Sequence, residues 1–297
     1  MTSRQWVLLL LLSLAFGGSF FFMAVAGAAW PPFTVVFARV LLAAVLLGLV
    51  LRLRGGRLPA TGPVLRACLV MALLNNLIPF SLIVWAQQSI PSGLASVVNA
   101  ATPVFTALVA HWTTTDERLS GGRLAGVLAG LAGVAVLAGP AAFAAGAEFT
   151  AILAGLGACL SYAFAGLYGR RFRRLQVAPI AAAAGQTTAS TLLSLPLMLL
   201  VDRPWLLPAS GPGVWLAVLA LGVVSTGIAY ALYFRLLAEA GATNTALVTQ
   251  LVPVMAILLG VAFLGESLLP RHLAGMLLIA LGFCLIDGRL PWRRRPA

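Results

Sequence analysis

The stretch VLRACLVMALLNNLIPFSLIVWAQQSIPSGLASVVNAATPVF, residues 64–105, decides the fold because it returns as VWLAVLALGVVSTGIAYALYFRLLAEAGATNTALVTQLVPVM, residues 214–255. At a shift of 150, Val64 falls on Val214, Ala67 on Ala217, Leu69 on Leu219, Ile78 on Ile228 and Leu82 on Leu232. Val98 then meets Val248, and Pro103-Val104 meets Pro253-Val254. One residue of slippage follows. At a shift of 149, Glu117 matches Glu266, Leu119 matches Leu268, Leu124-Ala125-Gly126 matches Leu273-Ala274-Gly275, and Gly133 matches Gly282. Apolar sequences share letters by chance, but the matched prolines, glutamates and Leu-Ala-Gly triplets carry the match further. Val64 to Gly139 therefore reads as duplicated in Val214 to Gly288. Duplication in an apolar chain points to a transporter built from repeats.

Composition sets the solvent. Of the 297 residues, 61% are hydrophobic and only 9% charged, with a mean hydropathy of +1.04. A soluble domain carries about 25% charged residues, so this chain needs lipid around it. The net charge of +12 does not indicate nucleic-acid binding, because the basic residues are short clusters between apolar runs rather than a stripe on a polar face. All 19 basic residues are arginine, which excludes lysine chemistry. Cys68, Cys159 and Cys284 lie inside apolar runs and read as small buried residues, not as a disulfide or metal framework. No cofactor or metal is expected.

A bilayer core of about 30 Å needs about 20 apolar residues per helix. That rule predicts ten spans, at 5–27, 32–51, 64–86, 92–113, 120–139, 149–168, 178–201, 213–235, 243–264 and 271–288. The first run follows Arg4 and could imitate a signal peptide, but removing it would leave the first repeat one helix short. Arginine placement gives the orientation. With the N-terminus inside, 16 arginines fall in inside connectors or the tail, Arg203 and Arg271 fall outside, and Arg39 lies within a span. The expectation is a multi-pass protein of the bacterial inner membrane with both termini in the cytoplasm.

Ten spans divide into a first repeat (1–139), a second repeat (149–288) and a basic tail (289–297). Five is odd, so the second repeat enters from the opposite side and the halves are inverted. At a shift of 147, Pro32 meets Pro179, Leu46 meets Leu193 and Arg39 meets Gln186. Inverted repeats give two near-equivalent packings, and rocking between them exposes a central site to either side in turn.

Several segments resemble a known family. They are Ala15-Phe16-Gly17-Gly18-Ser19-Phe20, Pro32-Phe33-Thr34-Val35-Val36-Phe37-Ala38-Arg39, Ala101-Thr102-Pro103-Val104-Phe105-Thr106-Ala107-Leu108 and Gln250-Leu251-Val252-Pro253-Val254. Glu117 and Glu266, each ahead of a Leu-Ala-Gly helix start, complete the pattern. The chain resembles the EamA-type exporters of the drug/metabolite transporter superfamily over nearly its whole length. Within that superfamily it is most similar to amino-acid exporters, including YddG-like exporters of aromatic amino acids. The resemblance implies a central substrate cavity between the halves, and export by proton antiport or facilitated diffusion.

Buried polar groups are costly in lipid, so their positions mark interhelical bonds or a pathway. Ser92, Ser96, Asn99, Pro103 and Thr106 share one face of the fourth span, with Thr102 beside it. The third span offers Asn75, Asn76, Phe80 and Trp85, and their counterparts in the eighth are Ser225, Thr226 and Tyr230. Tyr162, Gln186 and Gln250 add polar groups from the sixth, seventh and ninth spans. The candidate substrate-binding set is Arg39, Asn75, Asn76, Phe80, Trp85, Asn99, Thr102, Tyr162, Gln186, Tyr230 and Gln250. Pro79, Pro103 and Pro253 free backbone carbonyls for substrate or for kinks. A cation inside a span costs about 2.5–3.5 kcal/mol. Arg39 therefore either holds a substrate carboxylate or caps carbonyls and snorkels outward.

Trp85, Tyr162, Phe164, Tyr230 and Tyr233 form a possible aromatic box. Trp6, Trp30, Trp112, Trp205, Trp215 and Trp292 lie near span ends, as interface anchors do. The carboxylates lie at span ends or in connectors, so the mid-membrane glutamate mechanism of smaller relatives does not carry over. His111 titrates in the right range for coupling, or is only an interfacial residue. Gly122, Gly126, Gly130 and Gly133 make a small-residue ridge that fits either a homodimer or a joint with the tenth span. The partners implied are a small-molecule solute and the bilayer, with a monomer expected and no nucleic acid. The function expected is export of amino acids. The alternatives are other solutes (purines, drugs or organic cations), or a membrane enzyme or channel. An enzyme would need clustered acid–base or metal-binding groups. A channel would need a charged ring or carbonyl filter. Neither pattern is present in the sequence.

Overall fold

The computed structural model describes residues 1–113, 121–139 and 146–287. Its helices are α1 (Ser3–Gly27), α2 (Pro32–Leu53), α3 (Gly62–Ala86), α4 (Ser92–Thr113), α5 (Gly121–Ala138), α6 (Ala147–Arg174), α7 (Pro179–Asp202), α8 (Pro212–Gly241), α9 (Val248–Leu264) and α10 (Pro270–Ile286). The first eight are long and apolar enough to cross a membrane, and α9 and α10 are shorter apolar helices. Helices are the expected solution, because in lipid each backbone group must be satisfied within its own segment. Pro32, Pro179, Pro212 and Pro270 open α2, α7, α8 and α10. There the missing N–H costs nothing and the fixed φ suits the first turn. Thr2 and Gln5 cap α1 reciprocally, the Gln5 N–H donating to Thr2 Oγ1 at 3.3 Å and the Thr2 N–H to Gln5 Oε1 at 2.9 Å.

Leucines cover the outside of the bundle, among them Leu49, Leu192, Leu200, Leu216 and Leu277, while alanines and glycines fill the inside. Small residues let backbones approach, and close packing holds helices together where lipid is as apolar as leucine. The glycine ridge of α5 works this way against α10. A Cβ added at Gly126 would stand 2.6 Å from the Gly282 carbonyl, and one at Gly133 would stand 2.8 Å from that of Gly275. Gly130 faces Val104 of α4. The ridge is thus used within the chain.

Cross-chain contacts give the inversion. Arg4 and Gln5, opening α1, bond Glu239 near the end of α8, at 3.2 Å and 2.7 Å. We term this the basic end. At the far end α1 stops, and Gln87 closing α3 donates to the Phe20 carbonyl at 2.9 Å. Ser92 opens α4 there, against Glu266 of the α9–α10 connector. Arg271 at the start of α10 pairs with Glu148 at the start of α6, 2.8 Å apart. So α6 begins at the end where α1 finishes.

Some expected boundaries move. The sixth span, expected at 149–168, extends to Arg174, carrying its arginine cluster on a helical extension. The eighth runs to Gly241 rather than to 235. Gly241, at φ 77°, then reverses the chain, and α9 begins only at Val248 after a turn at Ala246–Leu247. The α9 helix runs unbroken through Pro253. Trp30 is not an interface anchor. It is 7% exposed, donates to Ser210 Oγ at 2.7 Å and packs edge-on to Trp215. Glu117 and Trp292 lie outside the described residues.

Candidate functional site

Two π-helical segments position the site. They span Ala72–Leu77 in α3 and Val223–Ile228 in α8, equivalent places in the two repeats. Their causes differ. In α3, Pro79 lacks the N–H that would bond Asn75 and its ring crowds that carbonyl, so the helix widens just ahead of it. Ser161 of α6 donates to the loosened Leu74 carbonyl at 2.7 Å. In α8 no proline follows the π segment, and the Thr226 hydroxyl donates back to the Leu221 carbonyl at 2.9 Å. Single π turns of this kind recur at functional sites.

α4 is broken outright. Its helix stops at Asn99 and resumes at Thr102, one residue before Pro103. Pro103 cannot bond the Asn99 carbonyl, which instead accepts from Thr102 Oγ1 at 2.7 Å. The Cys159 thiol of α6 reaches the Val98 carbonyl at 3.3 Å.

Between these irregular segments lies a polar cluster. Arg39 of α2 is 4% exposed. Its Nε donates to Thr226 Oγ1 at 3.0 Å, and its Nη1 lies 3.4 Å from the Met23 sulfur. The guanidinium carbon sits 3.7 Å from the Phe80 ring centroid, a cation–π contact. The Tyr162 and Tyr230 phenols are near enough to interact electrostatically with it. Asn75 Nδ2 reaches Gln186 Oε1 at 3.4 Å and Tyr230 Oη at 3.3 Å, and Gln186 Nε2 reaches Tyr230 Oη at 3.3 Å. Arg39 and Gln186 are repeat equivalents, as are Phe80 and Tyr230, so the cluster lies where the halves meet. A guanidinium has five donors, and two are used here, one on a weak thioether acceptor. Among the described residues no carboxylate pairs with it.

Of the candidate set, Arg39, Asn75, Phe80, Tyr162, Gln186 and Tyr230 come together. Asn76 instead ties α3 to α7, donating to Ser190 Oγ at 2.8 Å. Asn99 and Thr102 sit at the α4 break beside Cys159, one turn before Tyr162. Gln250 is partly buried, its Nε2 without a hydrogen-bond partner among the described residues, and makes no bond to the cluster. Trp85 is 45% exposed and shares the outward face of α3 with Ile78, also exposed. Phe164 is likewise outward. His111 stands nine residues past Thr102 in the last turn of α4, about 13 Å along the helix.

Sequence reasoning passed over Met23 and the carboxylates of the far end. Glu266 accepts from the Ser92 and Gly93 N–H groups at 2.6 and 3.0 Å, at the start of α4. Asp202, ending α7, accepts from the Thr34 N–H at 2.6 Å and its hydroxyl at 2.9 Å, at the start of α2. Carboxylates at helix N-termini are favoured by free N–H groups and the helix dipole. With Trp30 on Ser210 and Arg271 on Glu148, they tie helix ends together at the far end. Toward the basic end a cavity of about 510 Å³ opens between α4, α8, α9 and α10, with Thr102, Thr106, Tyr233 and Thr249 on its wall. Tyr233 lies one turn from Tyr230.

The model of the EamA-like transporter family matches the chain twice, over residues 4–139 and 149–287. The chain belongs to this family. An uncharacterized inner membrane transporter of Escherichia coli K12, YedA, is 32% identical over 258 residues, covering 86% of this chain and 82% of its own. An uncharacterized transporter of Bacillus subtilis 168, YvbV, is 28% identical over 96% of this chain and 92% of its own. A probable terminal-alkyne amino-acid exporter of Streptantibioticus cattleyicolor is 33% identical over 72% of this chain and 70% of its own. A crystal structure at 23% identity shares the fold, with a TM-score of 0.67 over 94% of this chain and 96% of the other. The chain is therefore an EamA-family membrane transporter whose described residues form ten apolar helices in two inverted repeats, and the cluster at Arg39 lies between the repeats.

Proposed function

We propose that this transporter exports amino acids by alternating access, with Arg39 receiving the substrate carboxylate. The observation that carries the reading is a buried guanidinium with donors to spare and no carboxylate partner among the described residues, set where the repeats meet. A buried charge is strongly unfavourable unless paired, and a carboxylate fits the planar fork of arginine with two parallel bonds. Asn75, Gln186 and Tyr230 then serve the α-amino group and the polar edge. The faces of Phe80, Tyr162 and Tyr230 suit an apolar or aromatic side chain. The likeness to a probable exporter of terminal-alkyne amino acids agrees with an apolar side chain on an amino-acid headgroup.

The arginine bias favours the basic end in the cytoplasm, and the likeness to an inner membrane transporter supports the bacterial inner membrane. On that assignment the wide cavity is a cytoplasmic vestibule and the tied far end is a closed outer gate. Release outward requires the Glu266 and Asp202 contacts to part while α4 flexes about its break at Asn99–Thr102 and the repeats rock against each other. The chain acts as a carrier, not an enzyme. The test is uptake of a panel of labelled amino acids, purines and organic cations into proteoliposomes, with and without an imposed pH gradient. Saturable amino-acid uptake accelerated by counter-substrate supports the reading, and transport of cations alone refutes it. Acceleration by the gradient assigns antiport and turns attention to His111. Indifference to it assigns facilitated diffusion.

A further inference from the structure

Away from the substrate cluster, a groove of about 480 Å³ runs between α2, α3 and α7 at the basic end. Its floor is made of small residues, Cys68, Ala184, Gly185 and Ala189, all buried. Its sides are leucines, of which Leu65, Leu69 and Leu192 are exposed on the outer face of the bundle. Thr188 lines it too, but its hydroxyl is spent on the Ala184 carbonyl at 2.8 Å. The groove is thus an apolar slot open sideways, at a depth where the surroundings are hydrocarbon.

Its mouth is different. Arg52 ends α2 and Arg57 follows in the α2–α3 connector, and both line the opening. Neither guanidinium makes a hydrogen bond or ion pair among the described residues, and both side chains are exposed. The repeat-related junction at the far end, where α7, α8 and the start of α2 meet, is pinned by Asp202 on Thr34. The junction at the basic end has no such polar tie among the described residues and is packed by apolar contact alone, Cys68 and Leu58 closing on Gly185. A slot open to the bilayer loses dispersion contacts unless a chain fills it, and two unpaired guanidinium groups at its rim select the charge of that chain's headgroup.

We propose that this groove is a binding site for an anionic glycerophospholipid, one acyl chain lying in the slot and the phosphate held by Arg52 and Arg57. Basic pockets between membrane helices on the cytoplasmic side bind such headgroups. The proposal rests on the topology above, which sets the basic end in the cytoplasmic leaflet. Lipid bound there holds α2 and α3 against α7 without entering the substrate path.

The experiment is native mass spectrometry of the purified full-length protein, titrated separately with phosphatidylglycerol and with phosphatidylcholine of identical chains. Phosphatidylglycerol should bind roughly 10–30-fold more tightly. Arg52→Gln with Arg57→Gln should erase that preference while leaving chain binding. Gly48→Leu fills the slot where an added Cβ meets nothing within 4 Å, so it should fold normally and lose both lipids. Equal binding of the two lipids, or wild-type binding by Gly48→Leu, overturns the site. The assay needs neither substrate nor a transport cycle, so its failure is distinguishable from failure of the export reading.

Discussion

Glu266→Gln should loosen the far end. The Glu266 carboxylate accepts from two consecutive N–H groups of α4, at 2.6 and 3.0 Å. An amide keeps one acceptor oxygen and turns an NH₂ group toward the second N–H, so one charge-assisted bond is lost. Such a bond contributes about 1.5–3 kcal/mol, which corresponds to roughly a 12–150-fold shift of the closed-to-open equilibrium. The substitution is close to isosteric, and Gly93 and Gly260 already make the room that the side chain occupies. The assay is labelling of Ser96→Cys by a membrane-impermeant thiol reagent added from the far side, with Cys68, Cys159 and Cys284 replaced by alanine. Ser96 is buried in the outer half of α4, so its labelling rate reports opening. The rate should rise at least tenfold in Glu266→Gln. A rise under about threefold, in a variant that keeps its thermal midpoint, would refute the claim that this contact holds the far end closed.

Other substitutions separate site, scaffold and lipid face. Tyr230→Phe removes the acceptor shared by Asn75 and Gln186 and should raise KM for transport several-fold with little change in thermal stability. Gly133→Leu drives a side chain into the Gly275 carbonyl and should destabilise by about 1–3 kcal/mol or more, read as a lowered thermal midpoint in detergent. Trp85→Ala should leave transport within twofold, because Trp85 faces outward.

The architecture was legible because lipid forces the chain into long apolar helices and the duplication fixes how many there are. The one-residue slippage between Pro103 and Glu117 did not obscure it. That Arg39 and Gln186, and Phe80 and Tyr230, all come to one cluster follows from their being repeat equivalents near the middle of their spans. Trp85 was misplaced for a definable reason. Trp85 stands five residues, about 140° of helix, from buried Phe80 and two turns from exposed Ile78, so it takes the outward face. Pro79 hints at the π segment of α3, but nothing comparable marks the one in α8, where the hydroxyl of Thr226 serves instead. The far-end carboxylates look solvent-facing in sequence. Only the packing of α4 on α9, across Gly93 and Gly260, reveals that Glu266 has a partner.

The central claim is that Arg39 reads a carboxylate. Its most direct test is counterflow in proteoliposomes, comparing a transported amino acid with its decarboxylated amine of the same side chain, in wild type and Arg39→Gln. The account predicts that wild type exchanges the amino acid and not the amine, and that Arg39→Gln loses the amino acid by at least tenfold while retaining its fold. Equal exchange of amine and amino acid by wild type, or amino-acid exchange undiminished in Arg39→Gln, would contradict it.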